Sequence, residues 1–329
     1  MLTLFRNNQS TTVLLLALYV GILHVPAILG WVPPPSASRD TEGGLLFHYL
    51  FGWAAGNAFA SALGATALVY FQAILINRFV DTFRMMNDRN WIPGALYALV
   101  ASCLPDLLFI SPVLIAATFI PILLQRLFSV YKQTQAYGAV FDTAFWLTLT
   151  SLIHPPAIWL FPAAYIAFFN LRTFPPREQA VFFTGIFSPM ALVFTGHFWF
   201  DQDGALIQTQ LSRCIFLPGL RLPADLYGSL KVSLLGLILV ATLLGFNVYY
   251  HKRLIQTQKY ITILYWFLFA GMLAALFQPA MRLEYFFLIA PTVSIFLAYL
   301  FQSTRNVFMI EVFHFTLLSA VFILQFFPR

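Results

Sequence analysis

Apolar runs closed by short polar or proline-bearing breaks divide this chain from end to end. Helical segments of about 20 apolar residues match the hydrocarbon thickness of a bilayer. The runs fall at 12–31, 56–76, 91–104, 107–125, 139–153, 157–170, 180–200, 229–250, 260–278, 285–302 and 307–327. They predict an all-α polytopic bundle of about eleven spans. Four of the runs are paired as hairpins, broken at Pro105-Asp106 and at His154-Pro155-Pro156. The hairpin runs are shorter than a full crossing, so they extend into flanking polar residues or lie packed inside the bundle. No soluble linker or low-complexity tract interrupts the pattern, and 1–329 reads as one membrane domain. The first run leads into a Pro-rich loop without a small-residue cleavage site, so it reads as a retained span rather than a cleaved signal.

Composition supports this reading. Hydrophobic residues make up 60% of the chain and charged residues 9%, against about 25% charged in a soluble domain. The net charge of +6 changes meaning once it is placed along the chain. Arg6, Arg78, Arg84, Arg89, Arg126, Lys132, Arg172, Arg177, Lys252, Arg253, Lys259 and Arg305 occupy one set of alternate loops, with His251 among them. Asp40, Glu42, Asp106, Asp201, Asp203, Asp225 and Glu284 occupy the other. Short basic loops stay in the cytoplasm, which predicts a cytoplasmic N-terminus, an outward C-terminus and a bacterial inner-membrane location. The basic residues are then topogenic, and a nucleic-acid partner is not expected. Cys103 and Cys214 are too far apart in sequence and too different in setting to suggest a disulfide or a metal site.

Candidate chemistry gathers in the outward loops, because polar groups are costly beside lipid and are retained where they serve a purpose. The loop 31–53 carries Arg39, Asp40 and Glu42 and then an aromatic stretch with His48, expected to lie at the interface as a juxtamembrane helix. The loop 200–228 carries Asp201, Asp203, Arg213, Arg221 and Asp225, with further juxtamembrane helix expected. Shorter turns supply Asp106, His154, Arg282 and Glu284. The simplest roles are structural. Asp106 follows Pro105 as a candidate N-cap for the next span, Arg282 and Glu284 as an interfacial ion pair, and Asp142 as an interfacial charge. His24, His197 and His314 read as hydrogen-bonders between packed helices, with Glu311 one turn before His314 as its candidate partner. No phosphate loop, HExxH or GxSxG is present, which argues against a nucleotide-driven pump.

Two resemblances add to this picture. The stretches DRNWIPGALYALVASCLPDLLFISPVLIA (88–116), FDTAFWLTLTSLIHPP (141–156) and LRTFPPREQ (171–179) resemble a family of polytopic inner-membrane proteins of Bacteroidota that has no assigned activity. The acidic first outer loop before 45–53, TSLIHPP (150–156) and MRLEYFFLIAP (281–291) are similar to elements of C-fold glycosyltransferases, which use polyprenyl-phosphate-linked sugars. The chain departs from that pattern in its short first loop and its lack of an Asp-Glu doublet. The second resemblance implies an outward-facing glycosyltransferase-like protein. Asp40 would act as catalytic base, with Glu42 as substitute. Arg282 would hold the lipid phosphate, with Arg39 and Arg221 in reserve, and His154 and Asp106 would shape the same mouth. It implies no organic cofactor and leaves a divalent cation open. The expected partners are membrane lipid, a polyprenyl-phosphate sugar and an envelope protein. The alternatives are a non-catalytic scaffold of an envelope complex, or a transporter or lipid flippase.

Overall fold

The structure, a computed structural model, describes residues 2–6, 10–34, 43–51, 57–199, 210, 226–277, 282–304 and 307–326. Among these residues it is helical without strands. The α-helices are α1 (Ser10–Ile28), α2 (Leu45–Phe51), α3 (Ala58–Thr82), α4 (Ile92–Ala101), α5 (Pro112–Ser129), α6 (Tyr137–Ile153) and α7 (Leu160–Leu171). They continue as α8 (Pro176–Trp199), α9 (Leu226–Leu244), α10 (Phe246–Tyr249), α11 (Ile255–Leu276), α12 (Ala290–Ser303) and α13 (Val307–Phe326). Seven of them (α1, α3, α5, α8, α9, α11 and α13) are long and apolar enough to cross a membrane.

Backbone chemistry explains the boundaries. The Asn57 side chain accepts from the Ala60 N–H and starts α3, and Ser111 accepts from the Leu114 N–H and starts α5. α3 runs past Ile76, where the apolar run ends, because Asn77 through Thr82 continue the helix. It closes on Arg84 at φ 47°. The Pro155-Pro156 pair ends α6 by opening a 3-10 turn, Pro155–Trp159.

The short apolar helices resolve a question that the sequence leaves open. Every residue of α4 from Pro93 to Ala101 is buried, and nearly all of α12 is buried with it. These helices pack against each other inside the bundle, with α4 also on α3. α5 is the most enclosed long helix, 72% buried over its apolar window, whereas α8 is only 17% buried. α8 therefore presents its apolar surface outward, held to α6 by a close crossing at Gly185. A Cβ there would stand 2.8 Å from Ala144 Cβ and from Phe141 O.

The described turns collect at two opposite ends of the bundle. At one end the 3-10 segments Pro105–Leu107 and Leu283–Leu288 pack together, His154 meets Tyr285, and Trp31 meets Phe326. At the other end the Trp91 N–H donates to Phe5 O. Arg253 there donates to Asn87 and Gln302, and Lys259 to Leu171 O. The loops sorted as acidic and basic from the sequence thus separate in space wherever they are described.

Candidate functional site

The acidic-loop end is built from the turns after α4 and α6, the start of α9 and the segment between α11 and α12. Asp106 lies in the first of these turns and is corrected from its expected role. The N-cap of α5 is Ser111, because the Pro105–Leu107 turn ends five residues too early for Asp106 to reach the first N–H groups of α5. Asp106 instead accepts from Lys231 Nζ at 2.5 Å. Lys231 comes from the first turns of α9 and stands 4.3 Å from the Tyr227 ring centroid, while the Tyr227 hydroxyl donates to Leu324 O. The lysine side chain is 10% exposed and the aspartate 25%. A lone cation in an apolar run needs a counter-charge. Lys231, inside the apolar run 229–250, carries that signal in the sequence.

His154 caps the end of α6 and is buried, its ring 5.6 Å from that of Tyr285. Burial pushes its pKa down to about 3, so the imidazole is neutral and does not act as a phosphate-neutralising cation. Glu284 is buried on the neighbouring turn.

Arg282 lines an apolar groove of about 220 Å³. One wall is Val232, Leu235 and Leu239 of α9, the other Met272 and Ala275 of α11, and the floor includes Phe286. One guanidinium set among aliphatic and aromatic side chains is a suitable receptor for an anion that carries a hydrocarbon chain, since guanidinium forks phosphate oxygens in two parallel hydrogen bonds.

A second, larger groove of about 630 Å³ opens at the same end between α6, α7 and α8. Gly44 sits at its rim. The Gly44 N–H donates to Ile153 O at 2.7 Å, and a Cβ on Gly44 would lie 2.1 Å from Leu152 O, so glycine is required there. Gln210 Nε2 donates to Ser151 O at 2.7 Å, and its Oε1 accepts from the Leu45 N–H at 3.5 Å. Segments from the 31–53 and 200–228 loops are thereby tied to the C-terminus of α6. Of the stretch 45–53, residues 45–51 are described and form α2.

Arg39, Asp40, Glu42 and Arg221 lie outside the described residues, as do Asp201, Asp203, Arg213, Cys214 and Asp225. Of the proposed site residues, Asp106, His154 and Arg282 are described, and all three are at this end. Of the histidines within spans, His24 and His314 are inter-helix hydrogen-bonders: His24 Nε2 pairs with Ser102 Oγ at 3.0 Å, and His314 Nε2 with the Tyr19 hydroxyl at 3.0 Å, and the His197 side chain lies outside the described residues. Asp142 pairs with Arg126 at 3.4 Å, both well exposed, as an interfacial charge does. Cys103 is a buried free thiol. No described group of three or more His, Cys, Asp or Glu is placed to hold a metal ion.

Compared with known proteins, the chain matches no family model, no curated protein and no solved structure.

Proposed function

We propose that this chain is a membrane-embedded transferase that takes a sugar from a polyprenyl-phosphate carrier at the outer face of a bacterial inner membrane. In this reading the chain crosses the bilayer about eleven times, with the basic loops cytoplasmic and the C-terminus outward. The observation that carries the reading is Arg282 in the apolar α9–α11 groove. That setting suits an amphiphile with a phosphate at the end of a hydrocarbon chain. A groove of this size holds only the first part of such a chain, and the remainder would lie in the surrounding lipid.

The chemistry needs a base and a stabilised leaving group. Asp40, or Glu42 in its place, takes the proton of an acceptor hydroxyl as that oxygen attacks the anomeric carbon. The bond from that carbon to the phosphate oxygen breaks, and its electron pair stays on the lipid phosphate, where Arg282 meets the developing charge.

Sugar transfer from a polyprenyl-phosphate donor, measured in membranes containing the full chain, tests this. Asp40→Asn is expected to lower turnover about a hundredfold or more. Arg282→Gln is expected to weaken donor binding about tenfold or more, the loss of a charge-assisted pair. Undiminished turnover in both variants overturns the reading, and a reagent that reaches cysteines at positions 40 and 282 only from opposite faces removes the shared centre.

A further inference from the structure

At the basic-loop end, the turn after α5 brings two ammonium groups to one aromatic ring. Lys132 Nζ stands 5.5 Å from the centroid of the Tyr131 ring, and Lys259 Nζ, from the first turns of α11, stands 5.7 Å from it. Arg172 fixes this turn against the end of α7, since it pairs with Glu178 and donates to Gln133 O. Lys259 gives one hydrogen bond to Leu171 O, and an ammonium has three N–H groups to give. Lys132 is exposed and sits in the left-handed region at φ 62°, where glycine is favoured and any other residue carries a cost. Glu178 is paired with Arg172 and Asp142 with Arg126, and among the described residues neither Lys132 nor Lys259 is paired with a carboxylate. The stretches outside the described residues that join segments at this end, 1, 7–9 and 305–306, carry no acid in the sequence.

The helices beside these cations expose apolar side chains. On α11, Ile255, Lys259, Trp266 and Phe269 recur at helical spacing, and the three apolar members are exposed. Lys259 thus stands in the outward stripe of a helix long and apolar enough to cross a membrane. Ile166 and Phe169 are exposed on α7, which packs against α11. A lysine in such a stripe lays its stem along apolar surface and carries its ammonium to headgroup level. We infer that Lys132 and Lys259, set about the Tyr131 ring, bind the phosphate of an anionic phospholipid whose chains lie along α7 and α11. Lysine stems are flexible and their ammoniums act as point charges, so both can turn onto one phosphate. The apolar stripe that begins beside the cations selects a lipid over a soluble phosphate. A zwitterionic head brings its own ammonium to the same place and gains less from the pair. This site lies at the opposite end of the bundle from the Arg282 groove and stands whether or not the chain transfers a sugar.

The test titrates the full chain, purified in detergent, with phosphatidylglycerol or with phosphatidylethanolamine carrying the same chains, and reads the tightest-bound lipid by native mass spectrometry. The unaltered chain is expected to bind phosphatidylglycerol about tenfold more tightly. Lys132→Gly removes one charge and suits the left-handed conformation, so it should be at least as stable as the unaltered chain in lipid-free detergent while losing severalfold in phosphatidylglycerol affinity. Lys259→Gln is expected to lose a similar factor, and the double variant to bind the two lipids equally. Arg126→Gln removes the same charge at the same end from a side chain already paired with Asp142, and is expected to keep the preference. Equal binding of the two lipids by the unaltered chain, an unchanged preference in the folded double variant, or a loss in Arg126→Gln as large as that in Lys259→Gln overturns the inference. Displacement of bound phosphatidylglycerol by inorganic phosphate overturns it as well, since the cluster would then be a site for the free anion.

Discussion

The two ends of the bundle hold the same kinds of charged side chain and use them differently. At the basic-loop end Arg172, Arg253 and Lys259 are bound to the fold. Arg172 pairs with Glu178 and also donates to Gln133 O, and the other oxygen of Glu178 accepts from the Ala136 N–H at 3.2 Å. Arg253 bridges Asn87 and Gln302 beside the Tyr299 ring, and burial there lowers its pKa from the ordinary value while Tyr299 opposes the shift. Lys259 donates to the carbonyl that ends α7. At the acidic-loop end, Lys231 is matched to one carboxylate and Arg282 lines an apolar groove. Cations that cap carbonyls hold loops in place, whereas a cation on the wall of a groove also borders an open apolar volume. The difference lies in what each side chain touches, and a count of charges per loop does not reveal it.

The largest expected effect lies at the end that carries no proposed chemistry. The Glu178 side chain is 1% exposed and that of Arg172 11%. Removing one partner of a buried pair leaves the other uncompensated and costs about 3–5 kcal/mol. Glu178→Ala is expected to lose about that much in denaturant unfolding of the detergent-solubilised protein. A loss below about 1 kcal/mol would show that the pair is hydrated, like a surface bridge, and would erase the contrast drawn above.

A smaller effect is expected from the ion pair at the other end. Asp106 keeps 25% exposure, so Lys231→Met leaves a carboxylate that water still reaches, and a cost of about 1–3 kcal/mol is expected. The double variant Lys231→Met/Asp106→Asn is expected to recover most of that loss, because the charge left behind by the single change is gone. A double-mutant cycle on unfolding measures the coupling. Zero coupling would mean that α9 is held to the Pro105 turn by apolar packing alone.

Much of the fold was legible because its grammar is coarse. The apolar runs at 139–153, 260–278 and 307–327 overlap α6, α11 and α13 closely, since hydrophobicity over about 20 residues is a strong signal. Burial within the bundle was not legible. Nothing in the composition of α4 or α12 separates a helix enclosed by protein from one that faces lipid, because both environments are apolar. Charge sorting groups the Asp106, His154 and Arg282 turns, and the described turns lie together at one end of the bundle. The partners were hidden: Asp106 with Lys231 is a contact across 125 positions, and Gln210 with Ser151 one across 59. Such pairings depend on how helices are arranged, and a single sequence does not specify that to the eye.

The smallest expected effect is a pH dependence at His154, and its sign separates a wall residue from a ligand. The imidazole is buried and its pKa is lowered from 6.5 to about 3 by desolvation. The unfolded chain therefore binds a proton near pH 6.5 that the folded chain refuses until far lower pH. Stability contributed by the neutral ring is complete above the unfolded value, and it falls as pH drops from about 6.5 toward 3. His154→Gln keeps a polar side chain and does not titrate, so its unfolding midpoint should drop less between pH 7 and pH 5 than that of the unaltered protein, by a few degrees at most. If instead His154 were a cation serving a phosphate, its pKa would be raised, the slope between pH 7 and pH 5 would reverse, and polyprenyl phosphate would bind more tightly as the pH fell. A smaller drop for the variant places His154 outside the charge-bearing part of the site, and parallel melting curves over that interval would show that the ring is not desolvated in the fold. A reversed difference would move it beside Arg282 as a second phosphate ligand.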